Sequence, residues 1–339
     1  MPVRNEKAYI RESLESLLDQ DFPTESVQII CVDGMSEDGT RDILRDYAKL
    51  HGRLVVVDNP KRTTACALNL GIKHSKGDFI IRVDAHSKYP YNYISKLVEN
   101  MEKLPAENVG GVCEIGSLKK SLQGDAIRVV LTSRLGVGNS LFRVGVDRTV
   151  EADTVPFGCY RRSLFDRIGF YDERLYRTED YEFNQRIRKA GGKIFLIPDI
   201  RITYFPPVKL RIFFRKQFNN GYGIVESGLV YGKLSFFSIR HYTPLFFVLY
   251  LLCLPLLIFV HWAFLLPLLS YALLNAIVAL GQARKQRKFS PIFMVPLALI
   301  GTHGSHGLGA LFSLVEAPFR RMSHGAQVSP VADSGASKS

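Results

Sequence analysis

The chain has 339 residues, 47% hydrophobic and 22% charged, with a net charge of +12 and a mean hydropathy just above zero. That balance excludes a chain disordered throughout, a collagen-like repeat and a wholly membrane-embedded protein, and it is more apolar than a soluble domain of this size should be. Two regimes are therefore averaged, and the charge is divided the same way: residues 1–200 carry 30 basic and 29 acidic side chains, 201–241 carry 7 and 1, and 242–339 carry 7 and 2.

A near-neutral N-terminal region argues against a nucleic-acid face, so no nucleic-acid partner is expected. Basic residues beside apolar segments fit anionic lipid headgroups better. The five cysteines, Cys31, Cys66, Cys113, Cys159 and Cys253, form no CxxC pair, which fits reduced thiols in a cytosolic domain rather than a disulfide framework or structural zinc. The opening MPVRNEKAYI has no apolar core, so no signal peptide is expected.

In chain order, Ile10, Leu14, Leu17 and Leu18 give a helical stripe, with Asn5 as its expected N-cap. VQIICV (27–32) reads as a buried strand ending at Asp33. Ile43, Leu44, Tyr47 and Ala48 mark a second helix, Leu54–Val57 a strand, 64–74 a helix, and FIIRV (79–83) a strand ending at Asp84. The alternation predicts a parallel sheet covered by helices. Ligands bind beyond the carboxyl ends of such strands, where Asp33 and Asp84 both fall.

Three stretches carry candidate chemistry. Asp33 to Thr40 (DGMSEDGT) could bond a ribose or base, or be a plain turn with capping residues. Asp84-Ala85-His86 could place a carboxylate and an imidazole on one side for a divalent metal; a surface histidine near a turn is the simpler alternative. Mg²⁺ prefers oxygen ligands, so a histidine favours Mn²⁺. Thr178 could cap a helix holding Phe183, Ile187 and Ala190 and stopped at Gly191. Asp180 in its first turn would be ionised by the helix dipole, as a general base must be, although acidic residues at a helix start are also ordinary.

Together, Pro2-Val3-Arg4-Asn5-Glu6, Asp33–Thr40, Asp84-Ala85-His86 and Glu179-Asp180 ahead of Arg186 and Gly191 resemble the motifs of the family 2 glycosyltransferases of the GT-A fold. The Asp-Ala-His variant with Ser87 and Tyr89-Pro90 is most similar to succinoglycan-type exopolysaccharide enzymes, which also carry C-terminal membrane segments. The resemblance covers about residues 1–230. It implies an α/β, Rossmann-like nucleotide-diphospho-sugar transferase domain followed by transmembrane helices. It implies that Glu6 and Asp33 hold the uridine of a UDP-linked sugar, and that Asp84 and His86 bind a metal, Mn²⁺ rather than Mg²⁺, at its diphosphate. Asp180 would be the base, with Glu179 beside it at the acceptor, and Pro156-Phe157-Gly158, before Arg161, would line the cleft.

Two features depart from the family. A strand normally precedes the Pro-x-x-Asn-Glu motif, which here follows Met1 directly, so the first strand is expected to be missing. Processive synthases carry Gln-x-x-Arg-Trp, whereas this chain has Gln217-Phe218-Asn219-Asn220-Gly221, which favours single-sugar transfer.

Between Arg240 and Arg284 lie 43 residues without Asp, Glu, Lys or Arg. As one helix they would run roughly 65 Å, about two bilayer cores of ~30 Å. Spans at about 243–260 and 263–281 with a turn at His261-Trp262 are expected. A third uncharged run, 289–315, is interrupted by Pro291, Pro296 and GTHGSHGLG (301–309). The expected division is thus a catalytic domain at 1–205, a basic membrane-proximal segment at 206–240, a transmembrane region at 241–320 (hairpin 243–281, third segment 290–315) and a disordered tail at 321–339. The basic cluster 284–288 places the hairpin ends and the catalytic domain on the cytoplasmic side of the cell's inner membrane.

The expected protein is a membrane-anchored inverting hexosyltransferase whose partners are a nucleotide sugar, a polyprenyl-diphosphate-linked acceptor and membrane lipids. The alternatives are transfer to a polyprenyl phosphate itself and a non-catalytic nucleotide-binding membrane scaffold.

Overall fold

The computed structural model describes residues 1–118, 120–175, 177–232 and 239–325. Three parallel strands form the first sheet in the order β1 (Pro2–Val3), β2 (Ile29–Asp33), β3 (Leu54–Asp58). Helices α1 (Ile10–Leu18), α2 (Thr40–Leu50) and α3 (Thr64–His74) connect and cover them. All five residues of β2 are buried, as an apolar run between covering helices requires. β1, two residues long, is formed by the first residues of the Pro2-Val3-Arg4-Asn5-Glu6 motif itself, and the Met1 amino group donates to the Ile30 carbonyl at 2.8 Å.

Six further strands form a mixed sheet, where a wholly parallel one was expected. They are β4 (Phe79–Ile81), β5 (Ser87–Lys88), β6 (Asn108–Ile115), β7 (Val150–Glu151), β8 (Cys159–Arg161) and β9 (Ile194–Tyr204). The order is β4-β8-β6-β9-β5, with β7 also on β9. Only β6 and β9 pair in parallel; β4, β5 and β7 each meet their partners antiparallel, as β8 does both of its own. β4 stops at Ile81, short of the expected Val83, so Arg82 to His86 form a connecting loop. Helices α4 (Tyr93–Lys103), α5 (Leu122–Thr132), α6 (Arg134–Val137), α7 (Leu141–Val144), α8 (Arg162–Ile168) and α9 (Glu179–Lys189) complete this part.

The C-terminal part is helical: α10 (Leu210–Val230), α11 (Thr243–Val260), α12 (Leu266–Gln286) and α13 (Ser290–Gly325). Two helices, Thr243–Val260 and Trp262–Gln286, are long and apolar enough to cross a membrane, with only 17% and 11% of their apolar windows buried. Leu252, Leu256, Phe259, Leu269, Leu273 and Ile277 face outward, which a soluble core helix could not sustain. Helix α13 is continuous through Pro296 and the glycine-rich run, and lies along α10 while touching α5, α11 and α12. A Cβ at Gly307 would collide with the Pro244 carbonyl and one at Gly309 with the Phe218 carbonyl, so the glycines are what let these helix backbones approach. Lys233 of the basic stretch and, from 326, the polar tail lie outside the described residues.

Candidate active site

Asp33 ends β2 fully buried. Its carboxylate accepts from the Ser36 amide (3.1 Å) and hydroxyl (2.5 Å), and the Arg41 guanidinium lies 3.4 Å away and also pairs with Asp58. The Asn5–Lys7 loop is clasped to the same turn. The Asn5 amide donates to the Ser36 hydroxyl (2.9 Å), and the Glu37 amide donates to the Asn5 Oδ1 (2.9 Å). The Glu6 amide donates to the Thr40 hydroxyl (2.8 Å) and the Lys7 amide to Asp38 (3.1 Å). Burial pushes the Asp38 carboxyl up, but the bonds from Thr40 and Lys7 outweigh it and hold it below its ordinary value.

Asn5 is thus not the N-cap of α1. Its φ of 55° is left-handed, which asparagine tolerates, and Tyr9 holds the cap position. The helix stripe could not show this, because the partner loop lies some thirty residues away.

Asp84 and His86 leave the same loop toward different partners. The Asp84 carboxylate lies 3.6 Å from Arg82, and its backbone is fixed by Tyr89 and Ser13. The His86 Nδ1 is 3.0 Å from the Glu6 carboxylate, and its ring meets Tyr204 edge-on at 5.3 Å. Burial pushes the His86 imidazole down, but the Glu6 hydrogen bond and Tyr204 outweigh it, so its pKa is raised above the ordinary histidine value.

Among the described residues no group of three or more His, Cys, Asp or Glu side chains could hold a metal alone. His86 nevertheless has the surroundings of a histidine in a divalent-ion shell, with Asp84 two residues before it. A ligating histidine commonly has its other ring nitrogen on a carboxylate, as Glu6 provides for Nδ1, which leaves Nε2 for the ion. Diphosphate oxygens ordinarily complete such a shell.

Arg82 is the residue the motifs missed. Its buried guanidinium reaches Asp84 (3.6 Å), Glu179 (3.8 Å) and Asp180. Burial pushes its pKa down, but Asp84 and Glu179 push harder, and the net direction is up. The available signal was its position two residues before Asp84 on a strand-like run. Arg82 joins the expected metal ligand to the expected base.

Thr178 does precede α9, but its side chain makes no cap bond. It sits at φ 70°, with its hydroxyl against Ser227 (2.6 Å) on α10. In α9, buried Glu182 holds Arg186 by two bonds (2.7 and 2.8 Å), and Arg186 donates to the Ile168 and Phe170 carbonyls. Arg186 therefore fixes the helix rather than a ligand. Of Pro156-Phe157-Gly158, Pro156 lines the cleft, Phe157 is buried with its carbonyl accepting from Tyr93 (2.8 Å), and Gly158 packs on Asn108. Arg161 turns away to the Met101 carbonyl.

A cavity of about 710 Å³ opens beside Asp180. It is walled by the α5–α7 region, by Pro156, Arg177 and Thr178, by Gln217, Asn220 and Ile224 of α10, and by Phe247, Tyr271, His303 and His306 of the helices beyond. Asp180 thus faces a space that continues into the apolar helices, whereas Asp33, Asp84 and His86 lie outside its walls. At its edge Arg143 stacks on Tyr204 (5.3 Å), whose hydroxyl accepts from Lys216 (2.6 Å). Burial pushes the Tyr204 phenol up, but Lys216, His86 and Arg143 prevail and bring it down to about 8.

Residues 1–169 match the family described as Glycosyl transferase family 2. The succinoglycan biosynthesis protein ExoA of Rhizobium meliloti is 31% identical over 72% of this chain and 73% of its own. The dolichyl N-acetyl-alpha-D-glucosaminyl phosphate 3-beta-D-2,3-diacetamido-2,3-dideoxy-beta-D-glucuronosyltransferase of Methanococcus voltae is 27% identical over 77% of this chain and 82% of its own. The solved mannosyltransferase PcManGT of Pyrobaculum calidifontis, in complex with GDP-Man and Mn²⁺, has the same fold. Its TM-score is 0.57 at 19% identity, covering 92% of this chain and 85% of that one.

Proposed function

The chain belongs to glycosyl transferase family 2, and from that premise we propose an inverting transferase that moves one hexose from a UDP-linked donor to a membrane lipid-linked saccharide in glycan synthesis. The observation that carries this reading is the cavity: a carboxylate at its catalytic end, and helices long and apolar enough to cross a membrane at the other. The relatives' printed activities point the same way, one in succinoglycan biosynthesis and one on a dolichyl-phosphate-linked sugar.

In this reading Asp33 and the Asn5–Thr40 clasp receive the nucleoside, and Asp84 and His86 hold the divalent ion. When bound, that ion would neutralise charge on the departing diphosphate. Asp180 takes the proton of the acceptor hydroxyl as its oxygen attacks the anomeric carbon from the face opposite the diphosphate. The new C–O bond forms as the bond to the diphosphate breaks, and the nucleoside diphosphate leaves. Arg82 holds the base and the ion's carboxylate in one frame, and Glu179 sits beside it. Lys216, on the Tyr204 hydroxyl beside His86, adds positive charge near the leaving group. The protein lies in the cell's inner membrane with this domain in the cytoplasm.

The test is mass analysis of lipid products made by the full-length protein from UDP- and GDP-hexoses. A one-hexose addition to a lipid-linked saccharide supports the reading. Addition to a polyprenyl phosphate itself favours the alternative acceptor, and a GDP requirement overturns the nucleotide assignment. No transfer and no donor hydrolysis would leave a nucleotide-binding scaffold.

A further inference from the structure

The glycine-rich run of α13, GTHGSHGLG, places two histidines between small residues. The glycines bring α10 and α11 against α13. A Cβ at Gly221 of α10 would strike the His306 carbonyl, just as one at Gly307 would strike Pro244. His303 and His306, one turn apart, both line the cavity. His303 Nδ1 is hydrogen-bonded to the Tyr271 hydroxyl at 2.7 Å. The His306 Nε2 is buried with no hydrogen-bond partner among the described residues, as is one terminal nitrogen of Arg143. Buried polar atoms almost always have partners, so these atoms ask for one.

The charge around them states what kind. Three arginines (Arg134, Arg143, Arg177) face the cavity against two carboxylates, Asp153 and Asp180, and three histidines (His241, His303, His306) add hydrogen-bonding ring nitrogens. Asp180 is already paired with Arg82. The space of about 710 Å³ is of a size for one polar headgroup and a short apolar stretch, and Phe247 and Tyr271 continue it toward the exposed apolar faces of α11 and α12.

We propose that His306, with His303, Arg177 and Arg143, forms an anion subsite that grips the phosphate of the lipid-linked acceptor and sets how far its sugar reaches toward Asp180. The inference rests on the lipid-linked acceptor proposed above and assigns that acceptor's phosphate to specific side chains. An imidazole N–H at His306 donates to a phosphate oxygen, the guanidinium groups add charge-assisted bonds, and the lipid leaves between the apolar helices.

The test uses the full-length protein in detergent with farnesyl diphosphate, farnesol and UDP as separate probes, together with the acceptor KM in the transfer assay. Farnesyl diphosphate should bind at least tenfold more tightly than farnesol. His306→Phe should weaken farnesyl diphosphate at least tenfold and raise the acceptor KM to match, with UDP affinity within twofold. His306→Gln, which keeps an N–H donor, should recover part of the loss. Should His306→Phe fail to fold, Arg143→Gln reads the same subsite and should weaken farnesyl diphosphate in the same way. Equal binding of farnesol and its diphosphate, an unchanged acceptor KM in a folded His306→Phe protein, or a parallel loss of UDP binding would each overturn the subsite. Transfer with an unchanged acceptor KM would do so while the proposed function stood. Tight farnesyl diphosphate binding without any transfer to lipid would keep the subsite and sink the proposed function.

Discussion

The two sides of the cleft differ in how far their polar groups are already satisfied. On the donor side, the Asn5–Lys7 and Asp33–Arg41 loops bond one another through Ser36, Asn5, Asp38 and Thr40, and neither contains a buried side-chain atom lacking a partner. On the acceptor side, His306 and Arg143 each hold a buried nitrogen without one. A nucleotide would meet a surface whose geometry is set in advance. The cavity instead presents buried polar atoms, His306 Nε2 and Arg143 Nη1, with no partner among the described residues. Arg82 stands between the two, bonded to carboxylates of both.

The sharpest way to break that division is at its boundary. Asp180→Asn should cut transfer by about 10²–10⁴, the usual cost of losing a general base, with UDP affinity within a few-fold as measured by calorimetry. Nucleotide affinity falling as far as the rate would move Asp180 to the donor side. Arg82→Gln removes one partner from three carboxylates at a site only 10% exposed. It should cost about 3–5 kcal/mol in denaturant unfolding, and a loss below about 1 kcal/mol would show that the guanidinium does not tie the sides together.

His86 sharpens the donor side. His86→Asp should shift the Mn²⁺/Mg²⁺ activity ratio toward Mg²⁺ by about tenfold, since oxygen replaces nitrogen; an unchanged ratio would remove His86 as a ligand. Because the folded imidazole holds its proton above the ordinary value of 6.5 and must lose it to ligate, Mn²⁺ binding should weaken with falling pH from a point above 6.5. The Glu6–His86 pair's contribution to metal-free stability runs oppositely: it is present below 6.5 and lost as pH rises through the raised value.

The smallest effect tests the helical side. Burial first, then Glu316, raises the Glu226 carboxyl to about 7. A carboxyl raised on folding favours the protonated protein. Its contribution to stability should therefore be fully present below 4.5 and lost as pH rises through 7, by under about 1 kcal/mol since the group is only partly buried. Glu226→Gln should flatten that slope in thermal melts, and an identical slope would show that the α10–α13 contact does not sense the charge.

Much of this was legible in the sequence, and the failures share a cause. Strand β2 and helix α3 follow from apolar runs and periodicity, which are local, and the hairpin follows from a charge-free length. Asp33 and Asp84 were placed by the rule for strand ends, which is also local. Asn5, read as a helix cap, is instead spent on Glu37, and the contact of the Glu6 carboxylate with His86 was not foreseen. Both partners are remote in sequence and leave no periodic trace. β4 was read two residues too long because FIIRV runs on past Ile81 in sequence, whereas Arg82 turns to its buried carboxylates. The GTHGSHGLG run looked like a helix interruption, yet helix–helix approach makes glycine favourable there.

The most direct test of the central claim is the anomeric configuration of the product. Full-length protein given a UDP-α-hexose and a lipid-linked saccharide, with the new linkage read by proton NMR, should yield a β-glycoside, because attack through Asp180 comes from the face opposite the diphosphate. An α-glycoside would contradict the single displacement and the role of Asp180 within it.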